Sequence, residues 1–198
     1  MTPSDVLAFW FGRSSDDAVV ATEQGELWFG GDAATDALIR EHYGELREQA
    51  IAGQLHEWES SAEGLLALVI LVDQFSRNIH RGTAAAFAHD AMARSWARRM
   101  VANGGYARLR PIQRLFVALP LEHSEALADQ QQGVALLEQL ARQVPPELRE
   151  KFDSYADYAR RHRDIIARFG HFPHRNRILG RDSTHEEIEF LKQPGSSF

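Results

Sequence analysis

The sequence predicts an all-α fold, an antiparallel array of consecutive helices, on three observations. Helix start and stop signals recur along the chain, apolar residues return at three- and four-residue spacing, and strand signals are nearly absent. A length of 198 residues suits one all-α domain spanning residues 1–198, with a core large enough to fold unaided. No linker or low-complexity tract divides the chain, and no internal repeat of about 34 residues stands out.

Thr2, Pro3 and Asp5 open the first helix as N-cap, first-turn proline and first-turn acid; it should carry Val6, Leu7, Trp10 and Phe11. A less defined stretch then reaches Leu27-Trp28-Phe29 and breaks at Gly30-Gly31. Asp32 can cap a long helix holding Leu38, Ile39, Tyr43, Leu46, Ala50 and Ile51. Ser60 and Glu63 have the spacing of a capping box for a helix running to about Asn78. Thr83 starts another, through Phe87, Met92, Trp96 and Met100, that stops at Asn103-Gly104-Gly105. Pro111 opens a short helix ended by Pro120. Ser124 starts the next, to about Val144, and Pro145-Pro146 separates it from a helix over 147–169. Gly170 closes that helix as a C-cap. Ser183 and Glu186 suggest a second capping box, for a terminal turn or two with Ile188, Phe190 and Leu191 on one side.

Composition narrows the function classes. The chain is 44% hydrophobic and 25% charged, as an ordinary globular protein is, and without cysteine it has no disulfide, thiolate metal site or cysteine nucleophile. The N-terminus MTPSDVLAFWFG lacks a basic segment and carries Asp5, which makes it a poor signal peptide. The longest apolar run, LLALVILV at 65–72, is far short of the ~20 residues of a membrane span and reads as a buried helix. A cytoplasmic protein with no membrane partner is expected. A net charge of −6 argues against nucleic acid as a partner, because phosphate binding needs a basic field. The charge is uneven, however: residues 160–181 hold seven Arg against one acid, Asp164.

Three helices carry apolar stripes that turn polar. Leu68, Val72, Phe75 and Ile79 share one face of the helix over 65–79, while a second face starts at Leu66 and Ile70 and continues as Asp73, Gln74, Arg77, Asn78 and Arg81. After Pro120, the stripe Leu127, Val134, Leu137, Ala141, Val144 extends backwards through Gln130 to His123. In the helix over 147–169, His162 interrupts Phe152, Tyr155, Ala159, Ile166 and Phe169, and it should be buried and hydrogen-bonded. A polar group left unpaired in a core costs roughly 1–3 kcal/mol, so such positions need partners. They can be satisfied separately, with Asp73 and Arg77 as an i,i+4 surface pair worth a few tenths of a kcal/mol, or they can share one polar cavity.

The segment RFGHFPHRNRILGRDSTHEE, residues 168–187, leaves helix at Gly170 and Pro173 and gathers His171, His174, Arg175, Asn176, Arg177 and Arg181. Arg suits bidentate recognition of carboxylate or phosphate. The same arginines could equally pair with Glu122, Glu125, Asp129 or the terminal acids. Residues 170–181 are expected to fold over the helices bearing Asp73–Asn78 and His123–Gln130 and close one end of a shared site.

Several short motifs fail on context. HRD at 162–164 sits in a helix without the downstream Asn or Gly-rich loop of a kinase, and HEEIE at 185–189 lacks the second His of a zinc protease. His171 and His174 are too weak a pair to predict a metal, and neither a metal nor a cofactor is expected.

The phrases LALVILVDQFSRNIHRGTAAAFAHD (66–90), LFVALPLEHSEALADQQQGV (115–134) and RFGHFPHRNRILGRDSTHEEIEFL (168–191) resemble the DUF924 family of uncharacterised, mainly bacterial proteins. The resemblance includes the early FWFG, Trp28-Phe29 and the closing PGSSF. It implies a tetratricopeptide-like superhelix with extra terminal helices. Where Ser76 stands in DQFSRN, the family pattern usually has proline. Characteristic positions of the family fall on Asp73, Gln74, Arg77, Asn78, His123, Ser124, Glu125, Asp129, Gln130, Arg168, His174, Arg175 and Asn176.

Two functional expectations follow. One is a helical binding module that holds an acidic peptide or small anionic ligand on Asp73, Gln74, Arg77, Asn78, His123, Glu125, Gln130, His162, Arg168, His174, Arg175 and Asn176. The other is an enzyme in which His123 or His162 is the general acid/base, oriented by Asp73 or Glu125, while Arg175 holds an anionic substrate.

Overall fold

A computed structural model describes residues 1–197, and every regular element among them is helical. The last residue of the closing PGSSF, Phe198, lies outside the described residues. The helices are α1 (Pro3–Phe11), α2 (Asp17–Glu23), α3 (Gly25–Phe29), α4 (Ala33–Ile51) and α5 (62–79). They continue as α6 (Asp90–Ala102), α7 (Gly105–Arg108), α8 (Pro111–Glu122), α9 (Leu127–Gln143), α10 (Pro146–Phe169), α11 (Asn176–Leu179) and α12 (His185–Phe190). Only Val144 and Pro145 separate α9 from α10, and the two pack against each other, so they run antiparallel. The expected helical array is present; a tetratricopeptide-like superhelix remains an implication of the resemblance. No helix among the described residues is long and apolar enough to cross a membrane.

Most boundaries follow the sequence signals, with four displacements. The cap of α5 is Ser61, which accepts from the Gly64 N–H at 3.0 Å, because the Ser60 hydroxyl is used within a preceding 3-10 turn on the Glu57 carbonyl. At α12 the capping box is Thr184 with Glu187, and Ser183 instead accepts from Asn176 at 3.1 Å. Thr83 leads only into the 3-10 turn Ala84–Ala86, and α6 begins at Asp90. Pro120 does not end α8. In the last turn its missing N–H costs one bond to the Phe116 carbonyl, and the helix runs on to Glu122 with His123 as its C-cap. That extension carries two polar side chains to the edge of the core.

Inside α5, Ile70–Gln74 form a π turn, with the Phe75 N–H donating to the Ile70 carbonyl. The Ser76 hydroxyl donates to the Val72 carbonyl at 2.5 Å and accepts from Arg47 Nε at 2.7 Å. At this position, for which the resemblance implies proline, the serine side chain holds the neighbouring α4 arginine. Within this turn Asp73 and Gln74 follow a fully buried apolar run.

The main core centres on Trp10, Phe11, Trp28, Phe75 and Phe116, in edge and tilted contacts such as Trp10–Phe75 at 5.4 Å and Trp28–Phe116 at 4.8 Å. A smaller apolar cluster of Ile165, Ile166 and fully buried Phe172 anchors the segment after α10. Leu38 and Leu127, assigned to apolar stripes by period, are 43% and 40% exposed.

Candidate functional site

The polar ends of the three stripes meet at one cleft of about 600 Å³. Gln74, Arg77 and Asn78 reach it from α5, Glu122 and His123 from the end of α8, and Tyr155, Tyr158 and His162 from α10. His174, Arg175 and Ile178 close one side, and Trp28, Phe29 and Phe87 give it apolar walls.

The returning segment is firmly held. Gly170 adopts a left-handed conformation (φ 74°), which turns the chain off α10. Phe172 then donates its N–H to Glu125 Oε1 at 2.9 Å, and Arg181 grips both Glu125 oxygens at 2.7 and 2.9 Å. Asn176, fully buried, accepts from Arg181 at 2.9 Å and donates to Ser183. Residues 170–181 therefore fold against His123 and Glu125, with Glu125 and Asn176 building the clasp, and they face Gln74, Arg77 and Asn78 across the cleft rather than packing on them.

Asp73 is the buried centre of the first network. It is completely inaccessible, and its Oδ1 lies 2.9 Å from His123 Nδ1 and 3.1 Å from Arg77, while Gln74 donates to Oδ2 at 2.6 Å. Arg77 also makes a two-pronged bond to Asp90, at 3.0 Å on each side. The expected surface pair between Asp73 and Arg77 is thus a buried one. Burial alone would raise the Asp73 pKa, but Arg77, His123 and Gln74 outweigh it and hold the carboxyl down at about 2. Desolvation and the nearby Arg77 cation lower His123 from its ordinary value, so its ring is neutral at pH 7. A charged Asp73 accepts, so the ring proton sits on Nδ1 and the lone pair on Nε2.

The second network is Glu122 with His162. Their side chains are each 5% exposed, and His162 Nδ1 lies 3.2 Å from Glu122 Oε1 and 3.0 Å from the Tyr158 carbonyl. The carbonyl can only accept, so His162 Nδ1 carries its proton. Burial, reinforced by the Asp73 charge, pushes Glu122 up to about 8, and burial takes His162 down to about 3. Both are neutral at pH 7. His162 is buried and bonded, as its place in the stripe required.

Arg175 is 6% exposed. Its guanidinium lies 4.3 Å from the Phe172 ring centroid and 4.6 Å from that of Phe87, and among the described residues it donates to the His123 carbonyl at 3.0 Å. It forms no ion pair with a carboxylate among the described residues, and its Nε has no hydrogen-bond partner there. Desolvation and the Arg77 charge lower its pKa to about 10.

Not every candidate converges. Asp73 lies behind His123, and Gln130 is occupied by the Glu122 and Ser124 carbonyls. Asp129 receives the Ser124 hydroxyl at 2.7 Å and pairs with Arg94 and Arg98. Arg168 lies outside the cleft, paired with Glu186 at 2.8 Å and resting on Phe169 and Phe190. Its place in the last turn of α10, one position from the stripe, turns it to the surface. Sequence reasoning treated Glu122 only as a possible partner for the arginines and did not single out Asp90. A lone acid closing the apolar run LFVALPLE was the available signal for Glu122; Asp90 had none. No three His, Asp or Glu groups among the described residues converge as a metal site.

A family model described as "Bacterial protein of unknown function (DUF924)" matches residues 6–195. Among solved structures, the chain is similar to a protein of unknown function from Agrobacterium tumefaciens, with 34% identity, a TM-score of 0.81 and coverage of 96% of both chains. No curated protein matches.

Proposed function

The chain belongs to the DUF924 family of bacterial proteins of unknown function, and on that footing we propose that it binds a small monoanionic ligand, a carboxylate, on Arg175. The observation that carries this reading is the cation itself. A guanidinium taken out of water normally requires a carboxylate or a full set of acceptors, and Arg175 has one carbonyl and two ring faces. An anion in the cleft would supply what is missing, with the rings and the His123 carbonyl already fixing the orientation of the fork.

Charge and size refine the ligand. Asp73 and Asp90 both pair with Arg77, and Arg175 brings the sum of these four charges to zero, so the cleft offers one guanidinium without a carboxylate and no excess positive charge for a second anionic group. A cleft of about 600 Å³ falls in the range of small-molecule sites, roughly 300–1,000 Å³, which favours a compact ligand over an extended acidic peptide. Its apolar part would rest against Phe29, 58% exposed.

Titration calorimetry with butyrate, benzoate and 2-oxobutyrate tests this. Arg175→Met keeps the aliphatic bulk between the two rings and should weaken the best of these ligands by about 1.5–3 kcal/mol, roughly 10- to 150-fold. Equal affinity of the wild type and a folded Arg175→Met variant would overturn the assignment.

A further inference from the structure

We propose that the cleft is catalytic and that it enolises a small oxo acid. His123 Nε2 removes a proton from the carbon beside the substrate carbonyl, and the Glu122 carboxyl gives a proton to the carbonyl oxygen. The proposal rests on the reading of Arg175 as the carboxylate anchor.

The geometry supplies each part. Asp73, fully buried and 2.9 Å from His123 Nδ1, fixes the ring so that the base nitrogen is Nε2, and the ring itself lines the cleft. Glu122, the preceding residue, lines the same cleft and is kept protonated by burial. Arg175 is tied to the His123 carbonyl at 3.0 Å, so a carboxylate on its fork lies beside both groups. A neutral base facing a neutral acid, with an anion hold between them, is the equipment of proton transfer next to a carbonyl. An activated nucleophile is missing from it: the chain has no cysteine, and among the described residues no hydrogen bond joins Ser154, the cleft's serine, to either histidine.

The step balances without a co-reactant. The C–H bond breaks and its electron pair forms the C=C bond, while the carbonyl π pair takes the Glu122 proton and His123 becomes imidazolium. In the reverse step the His123 imidazolium returns a proton, or a deuteron gained from solvent, to the carbon, while the enol O–H gives its proton back to Glu122 as the C=O bond re-forms, which regenerates both residues.

Deuterium exchange at C3, the carbon beside the keto group, of pyruvate, 2-oxobutyrate and phenylpyruvate, followed by proton NMR in D2O, tests the inference. Exchange of at least one of these should exceed the buffer rate. It should fall about 100-fold or more in His123→Asn, whose amide can still donate to Asp73, and likewise in Glu122→Gln, which holds its fold. Exchange at the buffer rate for all three, or exchange unaffected by both substitutions, overturns the catalytic inference. If carboxylates still bind and depend on Arg175, the anchor reading survives that failure; loss of binding defeats both.

Discussion

Asp73→Ala is expected to destabilise the protein by about 3–5 kcal/mol, the range for removing one partner from a buried ion pair. The variant would leave Arg77, His123 Nδ1 and Gln74 Nε2 each without an acceptor that now lies 2.6–3.1 Å away. Arg77 keeps Asp90, which holds the loss inside this range rather than above it. The pH dependence has a definite sign. The Asp73 carboxyl is held at about 2, below its ordinary 3.8, so its stabilisation is complete above pH ~4 and disappears as pH falls through 2. About 2 kcal/mol of the gap between wild type and variant should therefore close over that interval, leaving the packing loss. Urea unfolding at pH 7 and near pH 2–3 measures both parts. A gap of constant size would mean that Asp73 carries no buried charge.

Glu122→Gln should act in the opposite direction. Folding keeps the Glu122 carboxyl protonated to about pH 8, against an ordinary 4.5, so at neutral pH the chain must take up a proton to fold. This cost is absent below pH ~4.5, grows between 4.5 and 8, and is constant above. The amide preserves the shape and has no charge to bury. At pH 7 the variant should thus be more stable than wild type by about 3 kcal/mol, with the two converging as pH falls to 4.5. Parallel stability–pH curves would show that Glu122 is ionised in the fold, and the proton donor proposed for the cleft would be lost with it. A stabilising substitution at a cleft residue is the behaviour expected where a site keeps a strained protonation state for function.

Helix content was legible because its signals are local. Thr2 with Asp5, Asp32 and Gly170 each act within one turn, and each does so in the structure. Ser60 and Ser183 misled by one residue, since a neighbouring serine or threonine offered the same chemistry and the preceding turn decided between them. Pro120 misled because a proline in a last turn costs only one bond. The polar stripes pointed to Asp73, His123 and His162 through the interruption of an apolar period, a signal that needs no partner. What lay beyond reach were pairings across the chain. The place of Arg175 between Phe87 and Phe172, the grip of Asp90 on Arg77 and the turning outward of Arg168 depend on which helices meet. Single-chain periodicity does not carry that information.

The central claim is that Arg175 is kept in the cleft for an anion. A crystal structure of the protein soaked with the tightest-binding carboxylate tests it most directly. The account predicts a carboxylate about 3 Å from the Arg175 guanidinium, in the two-pronged geometry such pairs adopt, with the ligand body toward Phe29. A carboxylate bound elsewhere, with the Arg175 guanidinium turned onto a protein acid, would contradict it.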